Sequence, residues 1–317
     1  MRAVIGTRGS PLALWQSNYV RNELLKLYPG MEVGIEIIKT TGDAIPEAPL
    51  SKIGSKGLFT KEIDRALLDR RVDLAVHSLK DMPTVLPEGL AVGAVTVRED
   101  VRDVFIAHPG KPAKRIDDLP HGATIATGSL RRTCQLLRWR PDLLIVDLRG
   151  NLNTRLEKLD LSDWHGIILA KAGVVRLGAR ERISETIPVE RILPAVGQGA
   201  LCIEVRADDG ELINLVKPLN SEAARIATDG ERALLRVLEG GCQVPVGAYG
   251  RIERNEFFLD AIIGSLDGGT IVRGQEHGPP AQSVALGQRL GKTILERGGR
   301  ELLETMRNPN LQQAPEV

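Results

Sequence analysis

The residues of this 317-residue sequence able to do chemistry are three cysteines, one aspartate before a proline turn, and arginines that recur beside glycine and serine. Cys134 lies among Leu130, Leu136 and Leu137, and Cys202 in the run Ala-Leu-Cys-Ile-Glu-Val. Both read as small buried hydrophobes. Cys242 differs, standing in Glu239-Gly-Gly-Cys-Gln-Val-Pro just beyond a helical pattern, where a thiol is accessible and able to act as a nucleophile. The plainer reading is a loop cysteine packed at a domain junction. Asp81 follows Val76-His-Ser78-Leu-Lys80 and precedes Met82-Pro83, and by position alone it reads first as a turn-capping aspartate.

The arginines share one setting. Gly6-Thr-Arg8-Gly-Ser10-Pro11 follows the first strand pattern, Gly128-Ser129-Leu-Arg131-Arg132 follows Thr124–Thr127, and Arg149-Gly-Asn-Leu-Asn-Thr-Arg155 follows Leu143–Leu148. Each brings free backbone N–H groups, a hydroxyl and an arginine to the carboxyl end of a strand. Open α/β sheets place ligands there, and helix N-termini there favour anions. Ser10 and Ser129 read as N-caps, and Pro11 takes the favoured first helical position. Arg131 and Arg132 oppose the helix dipole, so they point to solvent, pair with a carboxylate or meet a polyanionic ligand. There is no Gly-x-x-x-x-Gly-Lys-Ser/Thr and no Gly-x-Gly-x-x-Gly after a strand, and Gly197-Gln198-Gly199 precedes a strand instead. Carboxylates held by separate arginine forks fit better than a triphosphate. The 30 arginines against 12 lysines agree with this, although compositional bias explains them equally well.

The elements that position these residues alternate. Strand patterns over Ala3–Thr7, Val33–Thr40, Val72–His77, Leu90–Val97, Val104–Ala107, Thr124–Thr127, Leu143–Asp147 and Gly166–Ala170 are interleaved with helices near Pro11–Leu27, Lys61–Arg71, Leu130–Arg138 and Leu152–Leu159. This predicts an α/β fold with mixed sheets flanked by helices. The charged break Arg98–Asp103 and the glycine-rich Pro194–Ala200 read as paired crossings before the strand Leu201–Val205. After a helix over Ala223–Leu238, hairpin-spaced strands Val246–Arg251, Phe257–Ile263 and Thr270–Gly274 and a helix Ala281–Arg297 predict a small α+β unit. Asp43–Leu58, with two prolines and two glycines, reads as neither strand nor helix and has the length of a lid; the polar tail from Asn308 reads as disordered.

Composition narrows the class. The chain is 42% hydrophobic but 3% aromatic, so its cores are aliphatic, and a formal charge of +1 gives no field for nucleic acid or an anionic membrane. No apolar run has the length of a signal peptide or a membrane span, and three cysteines have neither disulfide parity nor metal spacing. The expectation is a cytoplasmic protein without a metal.

Seven stretches in order resemble the porphobilinogen deaminase (hydroxymethylbilane synthase) family: Gly6-Thr-Arg-Gly-Ser-Pro-Leu-Ala, Gly57-Leu-Phe-Thr-Lys-Glu, Val76-His-Ser-Leu-Lys-Asp, Gly128-Ser-Leu-Arg-Arg, Leu148-Arg-Gly-Asn, Pro194-Ala-Val-Gly-Gln-Gly and Gly241-Cys-Gln-Val-Pro. Leu79, where methionine is frequent, is the one departure noted, and it is conservative. The resemblance implies a monomeric, cytoplasmic, three-domain transferase of tetrapyrrole biosynthesis. Its first two domains would resemble those of type II periplasmic binding proteins, with boundaries at 1–99 plus 200–218, 100–199 and 219–317. It implies head-to-tail condensation of four porphobilinogen molecules with loss of ammonia, on a dipyrromethane cofactor thioether-linked to Cys242. Lys80, Arg131, Arg132 and Arg155 would hold cofactor carboxylates, aided by Ser78, Thr127, Ser129 and Gly199. Arg8, Ser10, Arg149, Arg176, Phe59 and Gln198 would serve substrate and the growing chain. Asp81 would stabilise the cationic azafulvene left when ammonia departs and handle proton transfer, displacing the capping reading. A non-enzymatic anion receptor and a phosphate-handling transferase are the competing classes.

Overall fold

The computed structural model describes residues 2–44, 60–238 and 244–307. Phe59, Cys242, the expected lid beyond Ala44 and the tail from Asn308 lie outside the described residues. Along the chain the elements run β1 (Arg2–Thr7), α1 (Pro11–Leu27), β2 (Glu32–Ile37), α2 (Thr41–Ala44), α3 (Lys61–Leu68), β3 (Leu74–Ser78) and β4 (Leu90–Val95). There follow β5 (Asp103–Ala107), β6 (Thr124–Ala126), α4 (Leu130–Trp139), β7 (Leu144–Val146), α5 (Leu152–Asp160), β8 (Gly166–Ala170), α6 (Lys171–Arg176) and β9 (Glu185–Thr186). The last group is β10 (Leu201–Arg206), α7 (Gly210–Val216), α8 (Glu222–Val237), β11 (Val246–Glu253), β12 (Glu256–Gly264), β13 (Ile271–Gly278), α9 (Ser283–Ile294) and α10 (Arg300–Arg307).

Two five-stranded mixed sheets and one three-stranded sheet result. The first has the order β2-β1-β3-β10-β4, with β1 parallel to β2 and β3, and β10 antiparallel to both its neighbours. The second has the order β7-β6-β8-β5-β9, and the third is the antiparallel meander β11-β12-β13. The strand carrying residues 201–206 therefore belongs to the first sheet although the whole second sheet precedes it in the chain.

Central strands are buried on both faces, which is why they read as continuous aliphatic runs. Ile5, Leu74, Val76 and Ile203 pack against Val20 and Leu24 of α1. On the other face Ala75 and Leu90 meet Ile63, Ala66 and Leu67 of α3. In the third unit Phe257, Leu259 and Ile263 pack under Leu234 of α8 and Leu286 and Leu290 of α9. Three expectations change. The helix expected over 281–297 stops at Ile294, where a wide turn passes through Gly298 at φ 108°, a conformation closed to side-chain-bearing residues, before α10 begins. The strand expected from Val72 starts at Leu74, because the Val72 amide still bonds the carbonyl of Ala66. The short elements α6, α7 and β9 were not expected at all.

One carboxylate ties the three units. Glu231 of α8 is fully buried; its Oε1 and Oε2 lie 2.7 and 3.2 Å from the two terminal nitrogens of Arg98, in the first crossing. It also accepts the backbone N–H of Gly197, in the returning crossing, and of Gly250, on β11, each at 2.7 Å. Arg98 Nε in turn donates to the carbonyl of Gln198 at 2.8 Å.

A second buried group of polar side chains sits between α3 and the first sheet. His77 Nε2 lies 3.2 Å from Glu204 Oε2, and Asp64 on α3 accepts a hydrogen bond from Thr60 Oγ1 at 3.1 Å. Burial, reinforced by the charge of Glu204, pushes the Asp64 carboxyl up to about 6. The folded state thus holds a proton there that the unfolded chain releases near pH 4. The stability associated with that proton is complete below the unfolded value and is lost as pH rises through about 6. Asp64→Asn removes the ionisation. Its melting temperature is expected to exceed that of the wild type at pH 8, with the difference shrinking to nothing by pH 4, as read by calorimetry across that range. A difference independent of pH excludes the charge as its cause.

Candidate active site

The site is built at the carboxyl ends of strands in both large sheets. Its seat is Asp103, the first residue of β5 and fully buried. Arg131 and Arg132, in the first turn of α4, each place a terminal nitrogen 2.8 Å from one of its oxygens. Arg131 also donates to the carbonyl of Leu193, and Arg132 to that of Ile168 at 3.0 Å. Gln198, from the returning crossing, donates to Asp103 Oδ1 at 2.9 Å and to Val101 O at 2.7 Å, while its own Oε1 lies 3.5 Å from Lys80 Nζ. Burial alone raises the pKa of a carboxyl, but the two guanidiniums and Gln198 outweigh it and hold Asp103 well below the usual carboxylate range. Of the alternatives for Arg131 and Arg132, pairing with a carboxylate is therefore realised. That carboxylate is internal, and Arg132 Nε remains buried without a hydrogen-bond partner.

Around this seat the cations crowd. Burial pushes the Lys80 ammonium down to about 8; Asp81 opposes that shift, and Arg132 and Arg131 add to it. Burial likewise lowers Arg155 to about 10, with Arg132 and Arg149 contributing, while its Nε donates to the carbonyl of Gly150 at 2.8 Å. Arg149 donates to Asp147 Oδ2 at 2.9 Å. Asp81 ends the single turn Leu79–Asp81 after β3, is exposed, and has no hydrogen bond from its carboxylate to any described residue. Its capping role finds no support in that geometry. It is instead close enough to Lys80 and Arg155 to oppose the lowering of both.

Two of the serines behave differently. Ser10 caps α1, accepting from the Ala13 amide, whereas Ser129 occupies the N-cap position of α4 without a side-chain cap bond. The Ser129 amide turns instead to Thr127 Oγ1 at 3.3 Å, and this corrects its expected role as a cap. Asn151 supplies the cap of α5.

Between the two large sheets lies a small cleft lined by Gln16, Ser78, Lys80, Gly173, Arg176 and Gly199. Gln16 Nε2 donates to Ser78 Oγ at 2.8 Å, and Arg176, at the end of α6, donates to the carbonyl of Gly199 at 2.7 Å. Gly199 has φ 93°, and a Cβ there would stand 2.5 Å from the carbonyl of Glu99, so the two crossings meet only through glycine. Arg8 is half-buried just past β1. The structure thus brings together Lys80, Arg131, Arg132, Arg149 and Arg155 with Asp81, and sets Arg176, Ser78 and Gly199 in the adjoining cleft. Gln198 is 1% exposed and bridges the crossings instead of facing the cleft.

Sequence reasoning missed Asp103 and Gln16. Gln16 had a signal, since it falls on the face of α1 that buries Ala13 and Val20. Asp103 had none beyond standing at the start of an aliphatic run. The Cys134 and Cys202 thiols are buried and pushed up to about 12, so neither is a nucleophile at neutral pH. Among the described residues no cluster of histidine, cysteine and carboxylates is placed to hold a metal, and no helix is long and apolar enough to cross a membrane. The arrangement is a strip of cations around one exposed carboxylate, fit to bind a polycarboxylate and to offset a cation formed beside it.

Residues 3–214 match the family model described as porphobilinogen deaminase, dipyromethane cofactor binding domain, and residues 226–296 match porphobilinogen deaminase, C-terminal domain. The porphobilinogen deaminase of Desulforudis audaxviator is 52% identical over 304 residues, covering 96% of this chain and 97% of that protein. That of Chlorobaculum tepidum is 49% identical over 307 residues, covering 96% and 97%. Among solved structures, the VFT2 domain of Bordetella pertussis BvgS (a double mutant) aligns with a TM-score of 0.42 at 14% identity, covering 68% of this chain and 84% of that one. A likeness so loose says nothing about function.

Asp103→Asn leaves two adjacent buried guanidiniums without their counter-charge. Uncompensated burial of this kind costs about 3–5 kcal/mol, to be read as a lowered denaturation midpoint. Adding Arg132→Leu to that variant is expected to restore part of the loss. A wild-type midpoint in Asp103→Asn alone shows that the pairing contributes nothing.

Proposed function

The chain belongs to the porphobilinogen deaminase family, and on that premise we propose that it condenses four porphobilinogen molecules head to tail, with release of four ammonia molecules, and that water then cleaves the tetrapyrrole from its primer to give hydroxymethylbilane. The observation that carries the reading is Asp81: an exposed carboxylate, free of hydrogen bonds to described residues, within the field of Lys80 and Arg155. The site's residues also fit the cofactor for which the matched domain is described. The unpartnered buried Arg132 Nε, and the cations of Lys80, Arg131, Arg132 and Arg155 gathered round Asp103, leave the seat short of negative charge. The acetate and propionate groups of a dipyrromethane make up that deficit. Bound through a thioether to Cys242, the dipyrromethane supplies the pyrrole terminus from which the product is built.

The protein's own residues then divide the work. Lys80, Arg131, Arg132 and Arg155 hold carboxylates, with hydrogen bonds from Ser78, Thr127 and Ser129 and a close backbone approach at Gly199. Arg8, Ser10, Arg149, Arg176 and Phe59 serve the incoming substrate and the lengthening chain, while Gln198, buried between the crossings, holds Asp103 and Lys80 in place instead of touching substrate. Lys80 is charged below about pH 8, so its grip on a carboxylate weakens above that. Loss of ammonia from the aminomethyl group leaves a cation on the substrate carbon. Asp81 offsets that charge. Once the methylene carbon has bonded to the free α-carbon of the chain's terminal pyrrole, Asp81 takes up the proton that this α-carbon loses as its ring regains aromaticity. The sheet membership of each strand supports units at 1–99 plus 200–218, 100–199 and 219–317. A monomer working in the cytoplasm completes the proposal.

Intact-protein mass separates this reading from an anion receptor. The wild type from a heme-competent host is expected to carry a covalent excess equal to two linked pyrrole units, and Cys242→Ala to carry none. An unmodified wild type counts decisively for the receptor. Asp81→Asn is expected to fold and to lose turnover by about 100-fold or more, the usual weight of a positioned acid–base group. Near-normal ammonia release from that variant removes Asp81 from the chemistry.

A further inference from the structure

We propose that Trp15 is a positioning residue for Arg176, holding its guanidinium at the edge of the cleft by a cation–π contact so that its remaining donors stay turned to a substrate carboxylate. The proposal rests on the reading that Arg176 holds such a carboxylate. Trp15 is on α1, which packs on the first sheet, and Arg176 ends α6, which follows β8 of the second. The guanidinium carbon lies 5.8 Å from the centroid of the Trp15 ring, within the range of a cation–π contact. Behind Trp15, one helical turn on, Tyr19 stacks at 5.6 Å with the two rings 3° from parallel. Tyr19, Trp15 and Arg176 therefore lie in succession, joining α1 of the first sheet to α6 beside the cleft. The series ends at the carbonyl of Gly199, 2.7 Å from Arg176 Nη2.

Core packing does not explain this indole. Trp15 is 37% exposed, while the neighbouring Gln16 and Ser17 on the same helix are buried. A cation–π contact engages the charge of the guanidinium without using its N–H groups as hydrogen-bond donors, and the single bond to Gly199 leaves further donors of the fork free. The contact thus removes rotational freedom from a long side chain without consuming the donors it presents.

Trp15→Leu is expected to raise KM for porphobilinogen two- to fivefold, the size of a cation–π contact at a half-exposed position. Turnover should stay within twofold and the melting temperature should not change. Trp15→Phe, which keeps a ring, should recover most of the loss, and in an Arg176→Lys background Trp15→Leu should add nothing. An unchanged KM, or the same rise in the Arg176→Lys background, overturns the proposal. A readout independent of activity separates this from the functional reading. With Trp139 and Trp164 changed to Phe, the emission of Trp15 should change on Arg176→Leu, even if the protein proves to be a receptor. Identical emission in the two proteins overturns the contact itself.

Discussion

A guanidinium buried against a carboxylate is held by charge and hydrogen bonds together, and this molecule is assembled around two such pairings. Glu231 accepts Arg98 on both oxygens together with two backbone amides from different units. Asp103 accepts Arg131, Arg132 and Gln198. Both carboxylates are fully enclosed, and both join a crossing segment to an element that packs elsewhere. Charge-assisted bonds of this kind are directional, and removing one partner leaves an uncompensated ion. They therefore add directional contacts to the apolar clusters that also cross between the units, such as Cys134 and Leu193 against Ile262.

The same arrangement explains why the site is cationic yet stable. Asp103 takes one terminal nitrogen from each of two arginines and leaves the rest of their forks to backbone carbonyls, with Arg132 Nε unclaimed. Lys80 and Arg155 have no comparable internal partner, and their pKa values are lowered first by burial and then by the neighbouring arginines. An anionic ligand relieves the crowding of these cations, so part of its affinity is stored in the protein beforehand as unbalanced charge. Asp81 sits at the open side of the same field, where a carboxylate is kept exposed by the turn that carries it.

Much of this was legible in the residue order. The aliphatic runs marked the buried strands, Ser10-Pro11 marked the start of α1, and of the arginine-bearing strand ends those at Arg131–Arg132 and Arg149–Arg155 lie near one another. What escaped was whatever depends on burial of a polar group. Asp103 belongs to a stretch that reads as a charged surface break, yet it is the most enclosed charge of the site. Glu231 looks like any helical glutamate until α8 is placed against both crossings. Arg131 and Arg132 were marked as anomalous by the helix dipole, but the anomaly is answered first by Asp103. The elements α6 and β9 are six and two residues long, too short for a periodic signal. The helix expected to run to Arg297 gives way after Ile294 to the wide turn that holds Gly298.

The position of β10 has a consequence for synthesis. It lies in the interior of the first sheet, bonded to β3 on one side and β4 on the other, so until residues 201–206 appear those two strands have no partner in that gap. At ribosomal speeds of ~5–20 residues per second, the wait between β4 and β10 is on the order of ten seconds. During it the second sheet can complete itself, since all its strands lie between. The amino-terminal unit is thus the first to be made and cannot be the first to be finished. The nascent chain must carry an open sheet, with the facing edges of β3 and β4 unpaired, past the emergence of an entire neighbouring unit. Any chaperone that attends this protein on the ribosome meets that half-built sheet.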